Sequence, residues 1–193
     1  MAQSRRLRAF IALRLNAQTL TAIASFVQAL QEDGAGVGWV KRDNLHVTLR
    51  FLGGAVAAEQ IARLAPTLAQ IGAATPPFEL DARGTGAFPN LERPRAVWIG
   101  LRSDALAPLA ARVESAAREC GFPPEPRPYA PHLTIGRVRN LHGWALLWRG
   151  LVDAADREFG RSRVDSILLY RSILGGAAPI YEELARYPLG VSV

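Results

Sequence analysis

Apolar positions in this chain switch between two periods, and the switches mark out its elements. LRAFIALRL (7–15) alternates weakly and predicts a strand, with Asn16 placed to cap a helix after it. Across 17–31 the spacing changes, and Leu20, Ile23, Ala24, Val27 and Leu30 fall on one helical stripe. Gly34, Gly36 and Gly38 end that helix and lead into a second extended stretch; WVKRDN then supplies a short turn before a strand over 46–52. After Gly53 and Gly54 the spacing predicts a helix over 57–71, with Ile61, Leu64 and Leu68 as its buried stripe. FELDARGTGAF (78–88) and RAVWIGLR (95–102) read as two strands joined by a Pro-Asn turn. Residues 104–119 are helical in pattern, and the proline-rich GFPPEPRPYAP carries the chain into a strand at 132–138. LHGWALLWRGLVDAADREF is helical in part, and SRVDSILLYRSIL and PIYEELARYPL predict two closing strands.

Strands and helices alternate here without a regular βαβ beat. The expected class is therefore α+β, with mainly antiparallel sheets and outer helices. Each of two strands that open on histidine, at 46 and 132, is preceded by a helix and a Gly- or Pro-rich loop. That faint repeat predicts two pseudo-symmetric lobes, and a length of 193 residues suits one bilobal domain over 1–193 whose lobes share a core.

Composition narrows the function classes. At 49% apolar and 21% charged residues the chain reads as an ordinary globular protein. Arg14 interrupts the N-terminal apolar run, and Arg149 and Asp153 interrupt the tryptophan-rich one, so no stretch approaches the roughly 20 residues of a membrane span. The opening MAQSRRLRAFIALRL is better read as a first strand than as an export signal, because Arg14 cuts its apolar part short. Cys120 is alone and forms no internal disulfide; its neighbours AAREC and GF suggest a helix end packing a small thiol, which fits a reducing cytoplasm. There is no His-Glu-x-x-His, cysteine cluster or Asp-rich loop, so neither a metal nor a cofactor is expected. The net charge of +6 is carried almost wholly by arginine, Lys41 being the one lysine. Guanidinium groups pair with phosphate through a bidentate fork, which makes a phosphate-rich partner plausible without identifying it.

The chemistry gathers on histidine. Two of the three histidines open the same pattern, in LHVTLRFLG (45–53) and HLTIGRV (132–138). Alternation along a strand puts His46 and Thr48 on one side with Val47, Leu49 and Phe51 on the other, and likewise His132 and Thr134 against Leu133 and Ile135. A neutral imidazole takes a proton from an attacking hydroxyl or water, and a protonated one gives a proton to a departing oxygen. In-line displacement at phosphorus requires those groups on opposite sides, which two facing strands supply and one strand cannot. The threonine hydroxyls offer donors to the non-bridging oxygens. One such strand would read as a core strand with a satisfied histidine; two, using two of three histidines, favour function. His142 lacks this context and reads as a surface or turn residue. GTG at 84–86, without the Gly, Lys and Ser of a phosphate loop, reads as a turn beside the cleft. Tyr129, Phe10 and Phe51 are candidates to stack on a base, with Phe51 expected to face the core.

The double motif resembles the 2H phosphoesterase superfamily, and within it the RNA 2',3'-cyclic phosphodiesterases, also called 2'-5' RNA ligases. RAFIAL, WVKRDNLHVTLRFLG, GTGAFPNLERPRAVWIGL and YAPHLTIGRV stand in the order that family uses and span nearly the whole chain. The resemblance implies two α+β lobes flanking a central cleft, one His-x-Thr motif from each, acting on RNA ends or nucleotides that bear a 2',3'-cyclic phosphate. It makes His46 the proton donor to the leaving 3' oxygen, His132 the base that activates water, and Thr48, Thr134 and Arg137 the substrate contacts. The product would carry a 2'-phosphate, and a 5'-hydroxyl in place of water would give 2'-5' ligation. The protein is expected to act as a cytoplasmic monomer without a metal. Arg137 lies an odd number of residues from His132, so strict alternation sends it to the wrong face. Either Gly136 marks a bulge that re-aims it, or Arg50, on the predicted face of His46, is the rival phosphate ligand. Alternative readings are a cyclic phosphodiesterase of small nucleotides such as ADP-ribose cyclic phosphate, and a noncatalytic RNA- or nucleotide-binding module.

Overall fold

The computed structural model describes residues 6–31, 36–176 and 178–190. Gly34, expected to help end the first helix, lies outside them. Along the described residues the order is β1 (Arg6–Leu13), α1 (Ala17–Gln31), β2 (Val37–Trp39), a 3-10 turn at Arg42–Asn44, β3 (Val47–Ala57), α2 (Ala58–Ala73), β4 (Phe78–Phe88) and β5 (Ala96–Arg102). The chain continues with α3 (Leu106–Glu119), β6 (His132–Val138), α4 (Trp144–Asp153), β7 (Glu158–Val164), β8 (Ser166–Ile173) and β9 (Ile180–Pro188). All strand pairs are antiparallel, in a four-stranded sheet ordered β3-β1-β8-β9 and a five-stranded sheet ordered β2-β6-β5-β4-β7. The α+β class with two antiparallel sheets is as expected.

The helix expected over 57–71 is α2, but two other expectations fail in instructive ways. The strand expected to end at Leu52 does not stop at Gly53 and Gly54: β3 runs through them to Ala57, because β1 pairs along that length, from Arg6↔Ala57 to Leu13↔Val47. The closing region holds three strands instead of two. Asp165 separates β7, the edge of the five-stranded sheet, from β8, inside the four-stranded one. EFGRSRV buries only Phe159, Ser162 and Val164, a pattern too short and too rich in arginine to stand out in the sequence.

One apolar cluster runs behind both sheets, from Ile11 and Leu13 through Leu64 and Leu68 to Leu80, Ile99, Leu133 and Ile135. Helices α2 and α3 pack on each other and on the four-stranded sheet, whereas α1 packs on β7 and α4 on β4. Asn16 caps α1 as predicted, its Oδ1 accepting from the Thr19 amide at 2.8 Å. A second, small cluster of Phe10, Ala12, Leu168 and Tyr170, joined by Tyr181, lies on the other face of the four-stranded sheet.

That other face is set by a bulge in β3. Ala12 pairs with Thr48 and Ile11 with Arg50, so Leu49 is an extra residue. The extra residue reverses the alternation beyond it. Thr48 keeps the face of Ala12, but Arg50 moves to the core side beside Ile11, and Phe51 comes out beside Phe10. Arg50 is accordingly 6% exposed, ion-paired with Glu114 of α3 and with Glu125 at 2.9 Å, and it donates to the Pro123 carbonyl. Arg50 as a phosphate ligand is thereby overturned, as is the core placement of Phe51, which is 37% exposed. The arginine instead clamps the proline-rich loop that leads to β6. Arg50→Met, which keeps the stem and removes the charge, is expected to cost about 2–3 kcal/mol in urea denaturation, less than a wholly buried pair because Glu125 is 40% exposed.

Candidate active site

β6 repeats the device of β3. Trp98 pairs with Thr134 and Val97 with Gly136, leaving Ile135 as the extra residue, and Ala96 then pairs with Arg137. In both strands the inserted residue is the third after the histidine, Leu49 in one and Ile135 in the other. Arg137 therefore returns to the face of His132 and Thr134, which resolves its odd spacing. Ile135 gives its carbonyl to the Val40 amide at 2.9 Å, so the bulge is satisfied by the link that follows β2. Gly136 is needed there: a Cβ would come within 2.6 Å of Val37 Cγ1 and 3.0 Å of the Trp39 ring.

The structure brings the two motifs together, since β3 and β6 approach each other where the sheets meet. Each imidazole is held in the same way. His46 Nδ1 lies 2.7 Å from the carbonyl of Asn44, and His132 Nδ1 lies 2.7 Å from that of Ala130. A carbonyl only accepts, so each Nδ1 carries the proton and donates it, leaving Nε2 as the group that exchanges protons. Phe10 and Tyr181 pack His46, with ring centroids at 4.7 and 5.1 Å. Phe88 meets His132 edge-on at 4.8 Å. Asn44 is fixed in turn: its amide donates to Pro179 at the β8–β9 connection at 2.8 Å, while Arg42 ties the same 3-10 turn to Ala17 and Thr21 of α1.

Burial lowers the pKa of both histidines below the usual imidazole value; the backbone hydrogen bond opposes the shift and the Arg137 charge adds to it, with His132 adding further at His46. Arg137 thus acts electrostatically on both rings. It is exposed, and among the described residues no carboxylate pairs with it, nor does any residue take up the hydroxyls of Thr48 and Thr134. The convergent set is then two imidazoles with free Nε2, two unpartnered hydroxyls and one uncompensated guanidinium, a set suited to an anion that gains and loses protons. Among the described residues no group of three or more His, Cys, Asp or Glu side chains gathers to hold a metal.

Of the other candidates, His142 is exposed and takes part in none of these contacts. Tyr129 packs against the core, and burial raises its phenol pKa. Phe10 is 5% exposed, a support for His46 more than a surface. Gly84 and Gly86 are not in a turn but inside β4, the latter under the Trp98 ring. Phe88, Tyr181, Arg8 and Asn44 have no signature that separates them from ordinary strand and turn residues, so the motifs alone did not find them. Arg8 lies over the Phe51 ring at 4.5 Å.

Comparison with known proteins identifies the family. The family model described as the 2'-5' RNA ligase superfamily matches residues 19–175. The chain belongs to that superfamily. Its relatives include the RNA 2',3'-cyclic phosphodiesterase of Aeropyrum pernix, 34% identical over 84% of this chain and 92% of the relative. The protein of the same name from Methanothermobacter thermautotrophicus is 32% identical over 95% of this chain and all of its own length. Among solved structures, E. coli LigT complexed with 3'-AMP superposes with a TM-score of 0.75 at 29% identity, covering 95% of this chain and 98% of LigT. TT0787 of Thermus thermophilus gives 0.79 at 25% identity, covering 97% and 100%.

Both imidazoles are expected to titrate below about 6.5, read as ring-proton shifts by NMR. Because the Arg137 charge opposes protonation, Arg137→Gln should move both titrations upward, whereas Arg50→Met should move neither.

Proposed function

We propose that this superfamily member hydrolyses RNA-terminal 2',3'-cyclic phosphate to a 2'-phosphate without a metal. The observation that carries the reading is the matched pair of bulged His-x-Thr strands, which presents two Nε2 atoms, two hydroxyls and the Arg137 guanidinium to one space. Arg137, Thr48 and Thr134 hold the non-bridging oxygens and take up charge as it builds on them. His132 Nε2 accepts a proton from water as its oxygen bonds to phosphorus. The P–O3' bond breaks and His46 donates its Nε2 proton to O3'.

The two motifs are nearly symmetric, and the second residue after each bulge supports one assignment of the histidines. On the His132 strand it is Arg137, a phosphate ligand. On the His46 strand it is Phe51, an aromatic ring with Arg8 over it, which offers a stacking surface for a base. A nucleoside resting there puts O3' beside His46. With a 5'-hydroxyl in place of water the same residues would form a 2'-5' linkage.

Purified protein is expected to open a cyclic-phosphate-ended oligonucleotide in the presence of EDTA and to yield the 2'-phosphate. His46→Ala and His132→Ala should each lose about 10²–10⁴-fold. A metal requirement, or activity undiminished in both variants, would overturn the mechanism; a 3'-phosphate product would reverse which oxygen leaves.

The pH dependence follows from the lowered imidazole pKa values. One histidine must be protonated and the other neutral, so kcat/KM should peak on the acid side of about 6.5 and fall as pH rises and the acid loses its proton. Bound phosphate holds that proton more tightly, so the alkaline limb of kcat should lie at higher pH than that of kcat/KM. Initial rates across pH 4.5–8.5 check both limbs.

A further inference from the structure

The face that carries His132 holds an aromatic surface that water attack does not use. Trp98 stands opposite Thr134 across the β5–β6 ladder, so its side chain shares the face of the second motif. Gly86 is its partner on β4, and a Cβ there would come within 2.3 Å of the indole. The ring therefore lies over a stretch of strand with no side chain. Phe88 supports it, with centroids 5.3 Å apart, and the same phenyl ring meets His132 at 4.8 Å. Gly100, directly across from His132, puts no side chain between the imidazole and the indole.

Two further features separate Trp98 from a core residue. Its neighbours along β5, Val97, Ile99 and Leu101, are at most 5% exposed, but Trp98 is only half-buried. Its Nε1–H is buried and has no acceptor among the described residues, so packing of rings, and not a hydrogen bond, sets the plane of the indole. A large π-surface held this way, one phenyl ring removed from the His132 imidazole, is suited to stacking.

We propose that Trp98, backed by Phe88, is the platform for the base of a second nucleoside, the one whose 5'-hydroxyl occupies the position of water beside His132. This rests on the reading above that His132 serves the attacking oxygen. In joining, the 5' oxygen bonds to phosphorus as His132 takes its proton, the P–O3' bond breaks, and His46 protonates O3' to leave a 2'-5' phosphodiester. In cleavage the 3'-hydroxyl attacks, its proton passes to His46, and His132 protonates the departing 5' oxygen. Phe51 and Trp98 then serve the two sides of one phosphorus, and Trp98 distinguishes a nucleoside from water.

The test compares wild type, Trp98→Ala and Trp98→Phe on two substrates: a cyclic-phosphate-ended oligonucleotide, read for hydrolysis, and 2'-5'-linked ApA, read for cleavage to cyclic phosphate and adenosine. Stacking of one base on an aromatic ring is large enough that Trp98→Ala should lower kcat/KM for ApA by about tenfold or more beyond any loss in hydrolysis, with Trp98→Phe keeping most of the ApA rate. Where the alanine variant does not fold, Trp98→Leu, which has bulk and no π-face, carries the same comparison. Equal losses on both substrates would overturn the proposal, and so would a wild type that hydrolyses the cyclic phosphate but leaves 2'-5' ApA intact. A wild type inactive on the cyclic phosphate would defeat the hydrolase reading itself.

Discussion

Everything at this site depends on one extra residue in each histidine strand. A regular strand puts every second side chain on one face, which serves His and Thr but sends the residue five places after the histidine into the core. Leu49 and Ile135 shift the ladder by one, and the faces exchange beyond them. The strands can then do two things in sequence. They present an imidazole and a hydroxyl, and a little further on they present a third group without losing the apolar face that anchors the sheet. The twin placement makes the two motifs equivalent in backbone, and the difference between Phe51 and Arg137 makes them unlike in chemistry.

The same shift settles the electrostatics. Arg50 and Arg137 both follow the bulge in their strands, yet one is neutralised and the other is free. Arg50 is buried among Glu114, Glu125 and the Pro123 carbonyl, where an unpaired guanidinium would be costly to desolvate. It is a structural clamp between β3, α3 and the loop feeding β6. Arg137 keeps its charge in the site, where it favours an anion and disfavours protons on both imidazoles. That charge and the burial of both rings disfavour their protonation in the empty site, and an anion beside them would oppose that effect.

Ring packing supplies the rigidity that flexible side chains would not. His46 is wedged by Phe10 and Tyr181 and His132 by Phe88, and each Nδ1–H is tied to a carbonyl two residues earlier. Both remaining degrees of freedom of an imidazole, its tautomer and its ring plane, are therefore fixed before substrate arrives, so little reorganisation remains for the chemical step. The supports come from β1, β4 and β9, elements far apart in the chain.

Hydrophobic periodicity determined most of the elements and the α+β class, and the repeated His-x-Thr pattern linked His46-Thr48 with His132-Thr134, because those features are local or repeat. It misplaced what depends on a partner strand. Arg50 read as a rival to Arg137 for the phosphate and Phe51 as core, since alternation counted along one strand cannot show where the neighbouring ladder skips a residue. Gly53 and Gly54 read as a break, though β1 pairs straight past them. The split at Asp165 was hidden because neither sheet could be assigned from a short, arginine-rich edge strand. Which residue types could do the chemistry was therefore written in the sequence. Which of them face the site was decided only by the hydrogen-bond register between strands, where one inserted residue reverses the side chains that follow it, up to the next register shift.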